Sequence, residues 1–306
     1  MLYDTHAHFF TDDVERYPID TTGAREGAEE LRQRVLAHPS RPEIILAGWD
    51  GSHVTGGAGV QYNSTYKTDN RYLLSVSDAH RGRVSAVVIL DPQDPETPNR
   101  LADMVHAHDV TGIRMTGFPD AQGRYAYFES EAALRTWAAA ERLGIAVVLM
   151  YLPGRRPSEP VLDRIGELAD RFPALPIVLD HCGWPAAEAG PDYGFGPAHQ
   201  RLVARRNVLF KVTTINFNQL DGAGLDNAAF VRRLVDLYGA DRVMWGSDFG
   251  NTAGAFEDMV ARAEAATALL DPAERGAVLH DTGERVFGTR AGGRRVISAT
   301  TFRPFE

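Results

Sequence analysis

The chain has 306 residues, with 29 Gly, 17 Pro, 32 basic and 41 acidic side chains, for a net charge of −9. Hydrophobic residues make up 44% and charged residues 24%, an ordinary globular balance that argues against disorder and fibre. The acidic balance, with no long block of either sign, disfavours a nucleic-acid or anionic-membrane surface.

Cys182 is the single cysteine, so no intrachain disulfide can form and nothing points to secretion. The longest apolar run, Ile145 to Leu152, is too short for a bilayer, which needs about 20 residues. No charged, then apolar, leader opens the chain, and a cytoplasmic location is expected.

In chain order, eight runs read as strands: Leu2–His8, Glu43–Gly48, Val84–Leu90, Thr111–Thr116, Ile145–Tyr151, Ile177–His181, Val208–Thr213 and Arg242–Asp248. Most are continuously apolar, the pattern of parallel strands covered on both faces. Helical periodicity fills the gaps at Pro98–His108, Glu129–Leu143, Ser158–Phe172, Asn227–Leu237 and Phe256–Leu270. Gly144 is placed to stop the second of these, and Asp271-Pro272 opens a last helix as N-cap and N1. Gly48 to Asn63, holding Gly48, Gly51, Gly56, Gly57 and Gly59, reads as a long loop after the second strand, a flexible cover for an active site. Strand–helix alternation through eight units predicts an α/β fold, a (β/α)8 TIM barrel. Residues 1–288 are expected to form its single domain, and 289–306 a basic C-terminal tail packed on the barrel or at a contact between subunits of a homo-oligomer.

Polar residues collect at the carboxyl ends of the strands, where barrel enzymes build their sites. The first strand ends Asp4-Thr5-His6-Ala7-His8. Alternation along a strand points His6 and His8 to one side, about 7 Å apart, where both imidazoles can reach one ion or one substrate oxygen. The sixth strand ends Asp180-His181-Cys182-Gly183, and the eighth ends Gly246-Ser247-Asp248. Taken singly, His181 reads equally as a core histidine and Asp248 as a turn aspartate. Together the four residues form a constellation, because closure of the barrel sets the eighth strand beside the first. Cys182, adjacent to His181 along a strand, should point out of the barrel. Arg114, ending the fourth strand, can clamp a substrate carboxylate or pair inside the barrel with Asp180 or Asp91. Arg155 and Arg156 occupy a Pro/Gly-bounded loop expected near the mouth. His53 reads as a residue of the Gly-rich loop, and His38, His80, His106, His108, His199 and His280 as helix or helix-end residues.

These segments resemble the amidohydrolase superfamily, in its amidohydrolase-related branch of lactonases and non-oxidative decarboxylases. The resemblance rests on Asp4–His8, Asp69–Leu73 leading into Gly82–Val84, Thr111–Arg114, Val178–Pro185, Gly246–Asp248 and Thr282–Gly288. The Val178–Pro185 stretch is most similar to the subgroup of 2-pyrone-4,6-dicarboxylate lactonase and sugar-lactone lactonases. The resemblance implies a divalent ion, zinc first, held by His6, His8 and Asp248, with His181 contacting water or substrate. The family's fifth-strand histidine is missing: Tyr151 ends that strand and can donate to a substrate oxygen instead. Metal-independent lactonases exist in the same subgroup, which leaves metal-free catalysis open. Strand four supplies no bridging ligand, which argues against a two-metal centre. The seventh strand's end, Lys211 to Asn216, lacks an arginine expected of a dicarboxylate-specific relative. The implied activity is opening of a small anionic lactone, carboxylated or sugar-derived, by an activated water with Asp248 as general base. A metal-dependent decarboxylase of an unsaturated or aromatic acid is the alternative, and a non-catalytic binding barrel a second one.

Overall fold

Continuously apolar, β-branched segments avoid water only when covered on both faces. In the computed structural model, which describes residues 1–152, 159–189 and 192–289, such segments form eight parallel strands. They are β1 (Leu2–Ala7), β2 (Val54–Val60), β3 (Val84–Val88), β4 (Val110–Gly117), β5 (Ala146–Tyr151), β6 (Ile177–Leu179), β7 (Val208–Thr213) and β8 (Val243–Gly246). Each pairs with the next in chain order. After β8 the chain returns to β1: the amide of Asp248 donates to the carbonyl of His6 at 2.7 Å, and that of His8 to Phe249 at 2.9 Å. The result is a single-domain (β/α)8 TIM barrel. Residues 290–306 of the expected tail lie outside the described residues.

The second strand corrects the sequence reading. Glu43–Gly48 lies in a helix, Pro42–Gly51, and the strand comes from the Gly-rich segment read as a loop. Pro42 sits at the first helical turn, where its missing N–H costs nothing, and Ile45, Gly48 and Trp49 form the buried face at helical spacing. The glycines of β2 answer to space, since a side chain on Gly57 would sit 2.3 Å from the Asp4 carbonyl oxygen and 2.8 Å from the Trp49 ring. Gly48–Asn63 is therefore no cover over the site. Part of it is barrel wall.

The helices fall close to expectation. Ser130 caps Glu131–Leu143, and Gly144 ends it at φ 63°. Asp226 caps Asn227–Tyr238, and Asp271 with Glu274 forms a capping box before Pro272–Gly276. The barrel lumen packs Tyr3, Val60, Val148, Val178, Leu209 and Met244 against Val286 and Phe287 of the last helix, Thr282–Phe287. The Tyr3 hydroxyl donates to the Phe287 carbonyl at 2.8 Å. This plug fills the amino-terminal end of the barrel and leaves the carboxyl end for chemistry. Among the described residues, no helix is long and apolar enough to cross a membrane.

The contact at Gly57 gives a test of the β1–β2 packing. Gly57→Ala should destabilise the protein by about 1–3 kcal/mol, because the obstructing atom is backbone oxygen and cannot swing aside. Urea unfolding reads the loss, and a wild-type midpoint would show that β2 does not press on Asp4 as described.

Candidate active site

The seam between β8 and β1 sets the site. Asp4 is wholly buried, and its carboxylate takes over bonds that a strand ladder would make. Oδ1 accepts from the amides of Ser247 at 2.8 Å and His6 at 3.0 Å. Oδ2 accepts from the Ser247 hydroxyl at 2.6 Å and Trp49 Nε1 at 3.3 Å. Between Asp4 and Ala7, β1 carries one residue more than the facing stretch of β2 from Gly57 to Gly59. Such a bulge re-aims side chains. It delivers His6 and His8 to one point, with ring centroids 4.9 Å apart and planes at 86°.

Asp248 follows β8 in the left-handed region, at φ 59°. Its Oδ2 accepts from Asn251 Nδ2 at 2.9 Å and Thr252 Oγ1 at 2.5 Å. That commits one oxygen and turns the other inward: Oδ1 lies 3.5 Å from both His6 Nε2 and His8 Nε2. The three candidate ligand atoms lie within 4.8 Å of one another, and all three residues are buried. Among the described residues, His6 Nε2 and Asp248 Oδ1 have no hydrogen-bond partner. His8 Nδ1 sits 2.8 Å from the Val60 carbonyl, an acceptor only, so Nδ1 carries the proton and Nε2 presents a lone pair.

Electrostatics keep the set in the right charge states. Burial drives the His6 pKa well below its ordinary value, so its imidazole is neutral at physiological pH. Burial opposes ionisation of Asp248, yet the His8 contact and the neighbouring His6 and His181 outweigh it and hold the carboxyl well below the usual range. A neutral His6 imidazole, a carboxylate and the Nε2 of His8, converging at one buried point, suit a divalent cation.

Behind the triad, β6 ends in a tight turn in which His181, Cys182, Gly183 and Trp184 all have left-handed backbone. The turn brings His181 beside His6, with ring centroids 5.4 Å apart, and Trp184 packs on it at 4.8 Å. His181 Nδ1 is 2.7 Å from Thr213 Oγ1, which leaves Nε2 for a ligand. Burial lowers its pKa to about 4. Asp180 is wholly buried and meets Arg114 Nε at 2.8 Å, Lys211 Nζ at 3.1 Å and His6 Nδ1 at 3.3 Å. Burial opposes its ionisation, but Lys211, His6 and Arg114 together hold its pKa well down.

The structure thus brings His6, His8, His181 and Asp248 together, with Arg114 reaching them through Asp180. The Tyr151 hydroxyl, expected to meet substrate, donates to the Gly183 carbonyl at 2.5 Å and so braces the β6 turn. Cys182 is buried, its Sγ 3.6 Å from the Lys211 carbonyl oxygen, and burial pushes its thiol pKa up. Arg155 and Arg156 lie outside the described residues. His53 precedes β2, and its carbonyl accepts from Leu2, at the end of the barrel away from the mouth. Lys211, Asn251 and Thr252 enter the site without having been singled out in the sequence. A lysine inside the apolar run Val208–Thr213 was the available signal, since a charge on a doubly covered strand demands a buried partner.

The model of the amidohydrolase family matches residues 3–289. L-fucono-1,5-lactonase of Burkholderia ambifaria is 25% identical over 195 residues, 62% of this chain and 64% of that protein. Among solved structures, a putative 2-pyrone-4,6-dicarboxylic acid hydrolase from Pseudomonas putida superposes with a TM-score of 0.70 at 24% identity, covering 94% of this chain and 97% of that one. A zinc-bound amidohydrolase from Burkholderia multivorans gives 0.73 at 21% identity, over 95% and 100%. A manganese-bound 5-carboxyvanillate decarboxylase from Novosphingobium aromaticivorans gives 0.67 at 15% identity, over 94% and 96%. At these identities the structural likenesses show the fold. Because the family match runs from β1 to the helix that plugs the barrel floor, leaving no strand outside it, the chain belongs to the amidohydrolase family.

Proposed function

We propose that this amidohydrolase opens the lactone ring of a small carboxylated or sugar-derived molecule with an activated water, using Asp248 as general base. The observation that carries the reading is the inward-facing Asp248 Oδ1, unpartnered between His6 Nε2 and His8 Nε2 at the carboxyl end of the barrel. His6, His8 and Asp248 would hold a divalent ion, zinc first. Bound there, such an ion supplies Lewis acidity toward water and a carbonyl.

The chain's own groups carry the proton traffic. Asn251 and Thr252 fix Asp248 Oδ2, so Oδ1 alone is aimed to take a proton from the attacking water. Returned to the ring oxygen, that proton releases the hydroxy acid as the carbon–oxygen bond breaks. With the Thr213 hydroxyl donating to Nδ1, neutral His181 carries its proton on Nε2 and donates it to the carbonyl oxygen as charge develops. Arg114 uses Nε on Asp180, and among the described residues its other two nitrogens have no partner. We assign them to a substrate carboxylate, which a guanidinium grips bidentately.

A lactonase relative supports hydrolysis, whereas manganese-bound decarboxylases share the fold. The absence of a histidine on β5 favours hydrolysis, because the family's decarboxylases normally use the fuller ligand set. A purely binding barrel would have no use for two orphaned polar atoms in a buried triad, each of which costs free energy.

Three outcomes are expected. Asp248→Asn should lower lactone turnover by about 10²–10⁴-fold with an unchanged melting profile, and near-wild-type turnover would remove Asp248 from its role. Protein purified without chelator should hold about one divalent ion per chain, and His8→Ala should lose most of it on desalting. Across a panel of sugar-derived and carboxylated lactones, acid release measured by pH-stat should appear without carbon dioxide. Carbon dioxide from an aromatic acid, with no lactone turned over, would favour the decarboxylase.

A further inference from the structure

Lys211 is fully buried, and no step above uses it. Its Nζ lies 3.1 Å from Asp180 Oδ1 and 3.3 Å from His6 Nδ1. The same imidazole nitrogen is 3.3 Å from Asp180 Oδ1. His6 Nδ1 thus faces a donor and an acceptor at equal distance. A neutral imidazole has one N–H and one lone pair, and the partner of one nitrogen decides the state of the other. His8 has no such choice, because its Nδ1 faces a carbonyl.

We propose that Lys211 and Asp180 form a two-way support under His6 that satisfies either tautomer, whichever the centre of the triad requires. The inference deepens the proposed site and rests on its reading as a cation-holding triad. Without a cation, Nε2 carries the proton, with Asp248 Oδ1 3.5 Å away as its nearest carboxylate oxygen, and Nδ1 accepts from Lys211 Nζ. With a divalent cation, Nε2 presents its lone pair, Nδ1–H turns to Asp180 Oδ1, a buried oxygen that has no hydrogen-bond partner among the described residues, and Lys211 keeps its ion pair with that same oxygen. One proton leaves Nε2 for water and one arrives on Nδ1 from water. The imidazole stays neutral, and Lys211 and Asp180 keep their charges. The support explains a lysine beside a metal-ligating histidine, where a carbonyl or carboxylate alone is usual. Lys211 and Asp180 are positioning residues here: they act on the triad through His6.

The test needs no substrate. Full-length protein labelled with 15N in the histidine rings is observed by two-bond proton–nitrogen correlation, and His6 is assigned by the signal missing from His6→Gln. After chelator treatment, His6 should show the Nε2–H pattern. With one equivalent of zinc it should show the Nδ1–H pattern, while His8 stays Nδ1–H throughout. Zinc bound with an unchanged His6 tautomer overturns the support and leaves the metal site standing. No zinc retained on desalting overturns the metal reading and the support together. In metal-free Lys211→Met, His6 should revert to Nδ1–H, and persistence of Nε2–H would overturn the role of Lys211. If that variant does not fold, the two wild-type spectra decide the question.

Discussion

The hydrogen bonds of Asp4 across the last seam are the constraint on which the rest of the structure depends. A parallel barrel must bring its eighth strand back against its first, and in this chain that pair is joined by few ladder bonds. The Asp4 carboxylate supplies the missing acceptors to Ser247, His6 and Trp49 from a wholly buried position. Closure and site assembly are consequently one event. The residue after Ser247 is Asp248, and the residues after Asp4 lead through the bulge to His6 and His8. Loss of the seam would separate Asp248 from both imidazoles even with every strand intact.

The site is costly for the fold. Asp248, His181 and Cys182 hold left-handed backbone that side chains disfavour, at about 1–3 kcal/mol each, and such strain collects where geometry is functional. Asp180, Lys211 and the neutral His6 are buried together, and desolvation of the two ions is offset by their contact with each other and by Arg114 on Asp180. The lumen below is apolar and plugged by Phe287, whose ring lies 5.0 Å under Lys211 Nζ. A rigid floor, a charged middle layer and a polar rim follow one another up the barrel.

The fold is shared by a pyrone-dicarboxylate hydrolase and a carboxyvanillate decarboxylase, so the barrel alone does not choose between hydrolysis and loss of carbon dioxide. The proposed lactone hydrolysis rests in part on the fifth strand, which ends in Tyr151 and carries no histidine. Tyr151 fills the place but spends its hydroxyl on Gly183, which braces the turn that carries His181. The substitution serves the support of the site and adds no ligand.

Fold class, family and the spatial convergence of His6, His8, His181 and Asp248 were legible from the sequence. Continuous apolar runs report two-sided burial, and polar residues at their carboxyl ends report the mouth. The second strand was not legible, because Gly56, Gly57 and Gly59 are dictated by the atoms pressing on them, Trp49 and the Asp4 carbonyl among them, and a linear pattern cannot show such neighbours. Spacing offered Asp180 or Asp91 as internal partners of Arg114 without choosing between them, and it could not show that Lys211 would stand between Asp180 and His6. The sequence by itself determined which side chains can ligate and exchange protons, since those are properties of residue type and strand end. Only the tertiary structure decided which atoms face one another, because closure at the seam, the β1 bulge and the left-handed turns set directions through contacts between residues up to 243 positions apart.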